Sequence, residues 1–199
     1  MRAFILRARS GPASPELVDS YFGAPHHFEI AAHSIVSAFF YAKHLRPNVV
    51  FHLVLEAGPA APKTVTFESE DLLWLGGFHE SAIATVVKRA LAAGTGLTGQ
   101  AEVRVDKGLK VGRTSFERLA RGYAERMPVF LLDPDGQDLR ETEFSGDACF
   151  IFTDHIPMQR KTLHLLKRVG VRGLSLGPKV LFAAHCIAIV QNELDRRGL

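Results

Sequence analysis

The chain has 199 residues, of which 47% are hydrophobic and 23% charged, the balance of an ordinary globular protein. This composition excludes disordered, collagen-like and coiled-coil chains, and the length allows one large domain or two small ones. The formal net charge of +3 is compatible with nucleic-acid binding but too small to indicate it alone. Cys149 and Cys186 form no Cys-x-x-Cys pair, which favours a reducing cytoplasm over a disulfide framework or a zinc site.

The amino-terminal segment predicts a strand, because Arg2 and Arg7 interrupt its apolar run where a secretion signal would be continuous. The longest uncharged apolar stretches, residues 35–42 and 182–190, are shorter than the roughly 18 residues that a membrane helix needs. We therefore expect a cytoplasmic protein with no membrane partner.

Short apolar segments alternate with segments of helical periodicity along the whole chain. In order, the sequence predicts a strand at 2–8, a helix at 29–45, strands at 48–55 and 64–67, a helix at 80–93, a short strand at 102–105, a helix at 114–127 opened by a Thr114–Glu117 capping box, strands at 129–132 and 148–152, a helix at 160–169, a strand at 172–176 and a helix from Pro178 to Arg197. This rhythm predicts an α/β fold with a mostly parallel sheet between helices. Trp74 and the phenylalanines are expected in the core.

One glycine-rich motif is misleading. Residues 94–99, Gly-Thr-Gly-Leu-Thr-Gly, match the dinucleotide-binding fingerprint. That fingerprint requires a strand before it and a helix after it, so that the helix amino terminus meets the pyrophosphate. Here a predicted helix precedes and a predicted strand follows, so we exclude NAD binding.

Basic residues are concentrated in two segments, 101–127 and 158–181, and the second contains no acidic residue. Such faces can meet a phosphate backbone, although a solvated helix surface has the same pattern. The candidate RNA contacts are Arg104, Lys107, Lys110, Arg113, Arg160 and Lys161.

Polar and glycine residues follow the last predicted strands. Asp154 and His155 end one strand, and the segment 173–178, Gly-Leu-Ser-Leu-Gly-Pro, ends another. Ligands of parallel sheets bind at the carboxyl ends of strands. The strand ends at Leu132, Thr153 and Ser175 are therefore expected to converge on one pocket.

Three motifs of this region resemble the archaeal tRNA (pseudouridine-N1)-methyltransferases of the SPOUT class, which use S-adenosyl-L-methionine (SAM). They are Thr-Asp-His-Ile at 153–156, Leu-Ser-Leu-Gly-Pro at 174–178 and Ala-His-Cys-Ile-Ala-Ile-Val-Gln-Asn-Glu-Leu-Asp at 184–195. The resemblance continues at residues 1–5, 37–40 and 48–51 and so covers nearly the whole chain.

The resemblance implies a single domain spanning residues 1–199, with a trefoil knot at roughly 128–199 and a homodimer formed through the knotted region. It implies SAM bound bent in the loops 132–135, 153–157 and 174–181, with no metal. The cofactor-binding residues that follow from it are Leu132, Thr153, Asp154, Ser175, Leu176, Gly177, Leu181 and Cys186.

The implied activity is SAM-dependent N1-methylation of pseudouridine in a structured RNA, in particular the T-loop of tRNA. The alternatives are a non-catalytic RNA-binding protein with the same fold, and a SPOUT methyltransferase for another base, for example in rRNA. The chain has His27-Phe-Glu29 where the archaeal proteins tend to have Arg-Leu-Asp, and Pro157 and Gly177 where they have Gly and Ser.

Glu29 is the candidate catalytic residue, either as acid/base or by orienting the target nucleobase through its carbonyl groups. The alternative is that this carboxylate only interacts favourably with the positive end of the helix dipole. We expect Asp154 to order its loop by accepting backbone N–H bonds. Cys186 is read as a wall of the cofactor pocket, because His185 beside it on a helix points elsewhere and cannot activate the thiol.

Overall fold

The computed structural model describes residues 1–42, 44–70 and 75–199. The strands and helices of this part are, in chain order, β1 (Arg2–Pro12), α1 (Glu29–Phe39), β2 (Phe40–Tyr41), β3 (His44–Leu45), β4 (Val49–Ala57), β5 (Lys63–Glu68), α2 (Glu80–Ala93), β6 (Glu102–Asp106), β7 (Leu109–Gly112), α3 (Phe116–Ala124), β8 (Val129–Asp138), β9 (Ala148–Thr153), α4 (Arg160–Arg168), β10 (Arg172–Ser175) and α5 (Ala183–Arg196). None of the helices described is long and apolar enough to cross a membrane.

In the described part, eight strands form one sheet in the order β10-β8-β9-β1-β4-β5-β7-β6. The first five run parallel to one another, and β5, β7 and β6 extend the sheet in antiparallel fashion. The predicted mostly parallel sheet is confirmed. β7 is a strand that the sequence did not predict.

The central strand β1 is buried on both faces, which explains its uninterrupted apolar run. Phe4 and Leu6 pack in the larger core cluster with α1, α2 and α5, whereas Ala3 and Ile5 pack in the smaller one with α3 and α4. Seven phenylalanines with less than 2% exposure confirm the predicted aromatic core: Phe4, Phe39, Phe51, Phe67, Phe116, Phe130 and Phe150. Trp74 lies outside the described residues.

Two predicted helix boundaries were wrong. The helix predicted to reach residue 45 ends at Phe39, because the aromatic pair Phe40–Tyr41 enters an antiparallel bridge with β3 and the backbone of Ala42 is left-handed at φ 51°. In α3 the cap is Ser115, whose hydroxyl accepts the Arg118 amide, and not Thr114.

The last helix also begins later than predicted. The sequence placed its start at Pro178, but α5 begins at Ala183, because Phe182 is still extended with φ −61° and ψ 147°. Residues 178–182 therefore belong to the loop that follows β10.

Strand β8 continues through residues 133–136, where the sequence predicted a turn. Leu131 pairs with Gly173 on β10, but the next pair joins Gln137 to Leu174, so residues 132–136 bulge from the ladder. At the end of this bulge Gly136 touches the β10 backbone so closely that a Cβ would lie 2.3 Å from the Leu174 nitrogen. Only glycine allows this contact.

Candidate active site

The ends of β8, β9 and β10 are neighbours at one edge of the sheet. Leu131 of β8 pairs with Ile151 of β9 on one side and with Gly173 of β10 on the other. The three strands are therefore adjacent, as the prediction requires, and their convergence on one pocket stays a prediction. Most of the predicted cofactor residues are half-buried within these strands or directly after them, whereas Leu181 is 37% exposed. Leu132, Thr153 and Ser175 lie within the strands, and Asp154, Leu176 and Gly177 follow them.

The segment after β9 is fixed by Asp154. One carboxylate oxygen accepts the Ser10 amide and the other accepts the Ile156 amide, both at 2.9 Å, while the Asp154 amide donates to the Arg7 carbonyl. The predicted loop-ordering role of this carboxylate is confirmed. The arrangement ties the second loop to the end of β1.

The segment after β10 turns at Gly177, whose φ of +118° is unfavourable for other residues. The Ser175 hydroxyl accepts the Gly177 amide at 3.3 Å. Cys186, in the first turn of α5, lies 3.7 Å through its Sγ from the Leu181 carbonyl. Burial raises the pKa of its thiol to about 11, so the thiol is protonated at neutral pH, as expected for a packing residue and not for a nucleophile.

The rest of the α5 motif anchors the helix. The Gln191 amide donates to the Ala38 carbonyl on α1 at 2.8 Å. The Asp195 carboxylate binds the Arg2 guanidinium at 2.7 Å and the Arg46 guanidinium at 2.8 Å. These contacts hold α5, and with it Cys186, against the segment that follows β10, which we call the third segment.

Glu29, the first residue of α1, is bound on both oxygens. One accepts the Gly23 amide and the other contacts His27 Nδ1, each at 2.9 Å. Burial raises the pKa of this carboxyl, but the Gly23 amide and the His27 ring lower it by more, so its net pKa is below the ordinary value. Glu29 is therefore a poor proton acceptor and a good hydrogen-bond acceptor.

His27 brings an imidazole to the segment that follows β9, a contact that the sequence did not predict. The His27 ring meets His155 edge-on, with 5.1 Å between centroids. His26 contacts the Ser10 hydroxyl through Nδ1 at 2.9 Å and stacks on Tyr21. The sequence shows a histidine doublet directly before a helix start, but nothing in it indicates that this doublet folds against the Asp-His pair at residues 154–155.

The six candidate RNA contacts fall in two different environments. On β7 and just after it, Lys110 pairs with Glu68 at 2.7 Å, and Arg113 donates to the Leu97 and Ala61 carbonyls. Arg104, on β6, and Lys107, just after β6, are exposed. Arg160 and Lys161, at the start of α4, are exposed as well.

The exposed face of α4 lines a surface cavity of about 550 Å³, formed by Lys161, His164, Leu165, Lys167 and Arg168. Within residues 1–42, 44–70 and 75–199, none of its three cations takes part in an ion pair. Their charge is thus available to an anionic partner.

The glycine-rich segment 94–99 follows α2 and precedes β6, the element order on which the exclusion of NAD rests. The buried ammonium of Lys63 donates to the Gly94 carbonyl at the end of α2. Desolvation lowers the pKa of Lys63, and the neighbouring Arg113 lowers it further. The segment is a helix stop held by two cations. No group of three metal-ligating side chains occurs among the described residues.

Comparison with known proteins gives the family. The model of the family described as "Putative SAM-dependent RNA methyltransferase" matches residues 1–199. Proteins named "Putative pseudouridine methyltransferase" are 44% identical in Photobacterium profundum, over 98% of both chains, and 41% identical in Vibrio atlanticus, over 100% of both.

Among solved structures, Archaeoglobus fulgidus Nep1 bound to S-adenosylhomocysteine matches with a TM-score of 0.66 and 11% identity, over 100% of this chain and 98% of that one. The two sequence relatives are bacterial, and the likeness to the archaeal structure is one of fold. The chain belongs to the family of SAM-dependent RNA methyltransferases.

Proposed function

We propose that this protein methylates N1 of pseudouridine in a structured RNA, using SAM, and that its substrate is the T-loop of tRNA. The names of its bacterial relatives support the base, and the motif resemblance supports the T-loop. The observation that carries the proposal is the adjacency of β8, β9 and β10, with hydrogen bonds that fix the backbone after β9 and after β10.

The three segments fit an adenosine ligand. Leu132 and Leu176 are half-buried against the main core cluster and offer apolar surface to an aromatic ring. The turn at Gly177 has nothing within 4 Å of where a Cβ would point, which leaves space against its peptide groups. SAM would supply the methyl group there, held by Thr153, Asp154 and Ser175 in addition to these residues.

The same proposal includes one domain over residues 1–199 with the trefoil knot at 128–199. The resemblance of the motifs at 153–156, 174–178 and 184–195 supports it. We also propose a cytoplasmic location, consistent with two free cysteines.

Contact with RNA is proposed for α4, beginning at Arg160 and Lys161, with Arg104 and Lys107 as a second group. Lysine and arginine contacts to phosphates release counterions, so affinity falls steeply with salt. A stacked base cannot reach the methyl group, so the target nucleotide is flipped out of its stack.

Exposed apolar side chains near α5 support a homodimer. Val180 is 87% exposed, Phe182 66% and Ile189 38%. Exposed apolar side chains that lie close together mark interaction sites. We propose that two copies pair through this surface, which adjoins the third cofactor segment.

The activity is tested by incubating the protein with SAM and a T-loop hairpin that contains pseudouridine, and by digesting the RNA for mass spectrometry. The matched control is the same hairpin with uridine. We expect N1-methylpseudouridine in the first RNA only. Methylation of another base, or SAM binding that fails to occur in calorimetry, would refute the proposal in favour of a different methyltransferase or a non-catalytic RNA-binding protein.

The dimer is tested by light scattering on Ile189→Asp, with Leu163→Asp as control because Leu163 on α4 is equally exposed, at 38%. We expect the first variant to be monomeric and the second to remain dimeric. A monomeric wild type would contradict the proposed interface.

A further inference from the structure

The contact between Glu29 and His27 has the geometry of a carboxylate–imidazole pair that handles protons. Glu29 Oε1 lies 2.9 Å from His27 Nδ1, and its second oxygen is held by the Gly23 amide. A carboxylate accepting at Nδ1 keeps the ring proton on that nitrogen, which leaves Nε2 of the neutral ring as a proton acceptor. The low pKa of Glu29 keeps it ionised in this role.

His27 is held at an unusual backbone conformation that sets the direction of its ring. Its φ is +54°, in the left-handed region that non-glycine residues rarely adopt. Strain of this kind persists where the surroundings impose it and is concentrated at functional sites. Here it directs the ring against His155, in the segment that follows β9, while 41% of the side chain stays exposed.

We propose that His27 is the general base of the methyl transfer and that Glu29 is its positioning residue. The inference rests on the proposed function and identifies a residue of that same site. The N1–H bond of pseudouridine breaks and its proton goes to Nε2 of His27. The N1 electron pair forms the bond to the methyl carbon, the carbon–sulfur bond breaks with its pair on sulfur, and the imidazolium later loses its proton to water.

The charged and titratable neighbours of His27 are consistent with this role. Glu29 is the carboxylate that stabilises the imidazolium, and His155 faces the ring. Asp154 is engaged by the Ser10 and Ile156 amides, and Arg9 donates to the Pro157 carbonyl on the same segment. His26 is bound to Ser10. This leaves Glu29 as the carboxylate that contacts the His27 ring.

The chain contains a matched control. His33 and Glu80 form a second imidazole–carboxylate pair, with His33 Nε2 3.0 Å from Glu80 Oε1. Glu80 is the first residue of α2, and both side chains are exposed, at 55% and 46%. A general effect of removing a paired histidine would therefore be seen in His33→Gly as well as in His27→Gly.

The test is single-turnover methylation of the pseudouridine hairpin at saturating SAM, with and without added imidazole. General bases contribute about 10²–10⁴-fold, so His27→Gly should slow the reaction at least about 100-fold, and imidazole should restore part of the rate. SAM affinity should stay within threefold. Because glycine accepts a positive φ, the melting temperature of His27→Gly should not fall below that of the wild type.

The pH profile gives a second readout. In the wild type, kcat/KM should fall toward acid pH as the accepting imidazole is protonated, and His27→Gly should lose this limb. Glu29→Gln should move the limb to lower pH, because the imidazolium loses its anionic partner. His33→Gly should change neither rate nor profile.

A His27→Gly variant that keeps its rate within threefold, or that is slow with no imidazole rescue and an unchanged pH profile, overturns the inference and leaves the proposed function standing. A wild type that binds SAM but does not methylate the pseudouridine hairpin overturns the proposed function, and the inference falls with it.

Discussion

The two halves of the sheet differ in what their polar side chains contact. In the parallel half, β10-β8-β9-β1-β4, polar groups follow the strand ends and fix loop backbones, as Asp154 and Ser175 do. In the antiparallel half, β5-β7-β6, long cationic side chains instead join separate elements of the fold: Lys63 binds the end of α2, Lys110 binds Glu68 and Arg113 binds two carbonyls.

This difference separates basic residues that are paired within the protein from those that are free to bind an anionic partner. Charge alone does not separate the two kinds of position, since Lys110 on β7 and Lys161 on α4 both lie in basic segments. The first faces a carboxylate on the adjacent strand, whereas the second lines an open cavity. Within the antiparallel half, Lys63, Lys110 and Arg113 therefore support the fold. We propose that RNA is contacted by α4, with Arg104 and Lys107 of the antiparallel half as a second group.

The largest expected effect comes from breaking the parallel half at Gly136→Ala. The new Cβ would lie 2.3 Å from the Leu174 nitrogen and 2.4 Å from the Gly173 carbonyl carbon, both backbone atoms that cannot move aside. Overpacking of this severity should lower the free energy of unfolding by about 3 kcal/mol or more. Urea denaturation measures it.

The control for this change is Gly122→Ala, within α3, where nothing lies within 4 Å of the added Cβ. Alanine in a helix interior should raise stability by about 0.5–1 kcal/mol. Equal effects of the two substitutions would mean that β8 and β10 pack more loosely than the contact at Gly136 requires.

Sequence reasoning found the parallel half well and the antiparallel half poorly. Continuous apolar runs such as residues 3–6 identify strands buried on both faces, and three strand ends with polar followers identified the site edge. β7 was missed because Lys110 and Gly112 interrupt its short run, and only pairing with β5 and β6 makes it a strand.

In the site, the motif segments and Glu29 were named from the sequence and the family resemblance, but the contact of His27 with His155 was not predicted. Asp154 was predicted as a loop-ordering carboxylate because it follows a strand directly. His27 lies more than a hundred residues before His155 in the sequence, although the two rings are in contact. No local pattern indicates that α1 begins beside the segment that follows β9. The positive φ of His27 was likewise not predictable, because a positive φ is normally inferred from a glycine and this position holds a histidine.

The seam between the halves is tested next, at His52. Its Nδ1 contacts the Thr66 hydroxyl at 2.9 Å on β5, and its Nε2 contacts the Tyr123 hydroxyl at 2.8 Å on α3. His52→Leu leaves both hydroxyls without this partner, so the free energy of unfolding should fall by about 1–3 kcal/mol at pH 7.5. His33→Gln, at an exposed histidine, should change it by less than about 0.5 kcal/mol.

The pH dependence of this effect has a defined sign. Burial lowers the pKa of His52 to about 3 from the ordinary 6.5, with Arg126 and Lys110 adding to the shift. The unfolded chain therefore takes up a proton below pH 6.5 that the folded chain takes up only near pH 3. Wild-type stability should fall across that window by at most about 1.4 kcal/mol per pH unit from this residue. In His52→Leu the loss should be shallower, and parallel acid limbs would contradict the assignment.

The two basic surfaces are compared by removing two charges from each. Lys161→Gln with Arg168→Gln should weaken RNA binding about tenfold and reduce the slope of log affinity against log salt by about 1.5, because two phosphate contacts are lost. Lys110→Gln with Arg113→Gln should change affinity less than threefold and lower stability instead, since the ion pair with Glu68 and the bonds to two carbonyls are broken. Fluorescence anisotropy over a salt series measures both, and equal losses would show that only total charge matters.

The smallest expected effect is at Cys186, which borders the third segment without a chemical role. Cys186→Ser replaces a buried thiol that packs beside the Leu181 carbonyl, so SAM affinity should fall by only a few-fold in calorimetry. Cys149→Ser, in the core on the other face of the sheet, should lower stability and leave affinity unchanged. If Cys186→Ser abolished methylation while binding SAM normally, covalent catalysis would have to be reconsidered. A modest loss of affinity alone would instead assign the thiol to the wall of the pocket, where its raised pKa keeps it uncharged against the ligand.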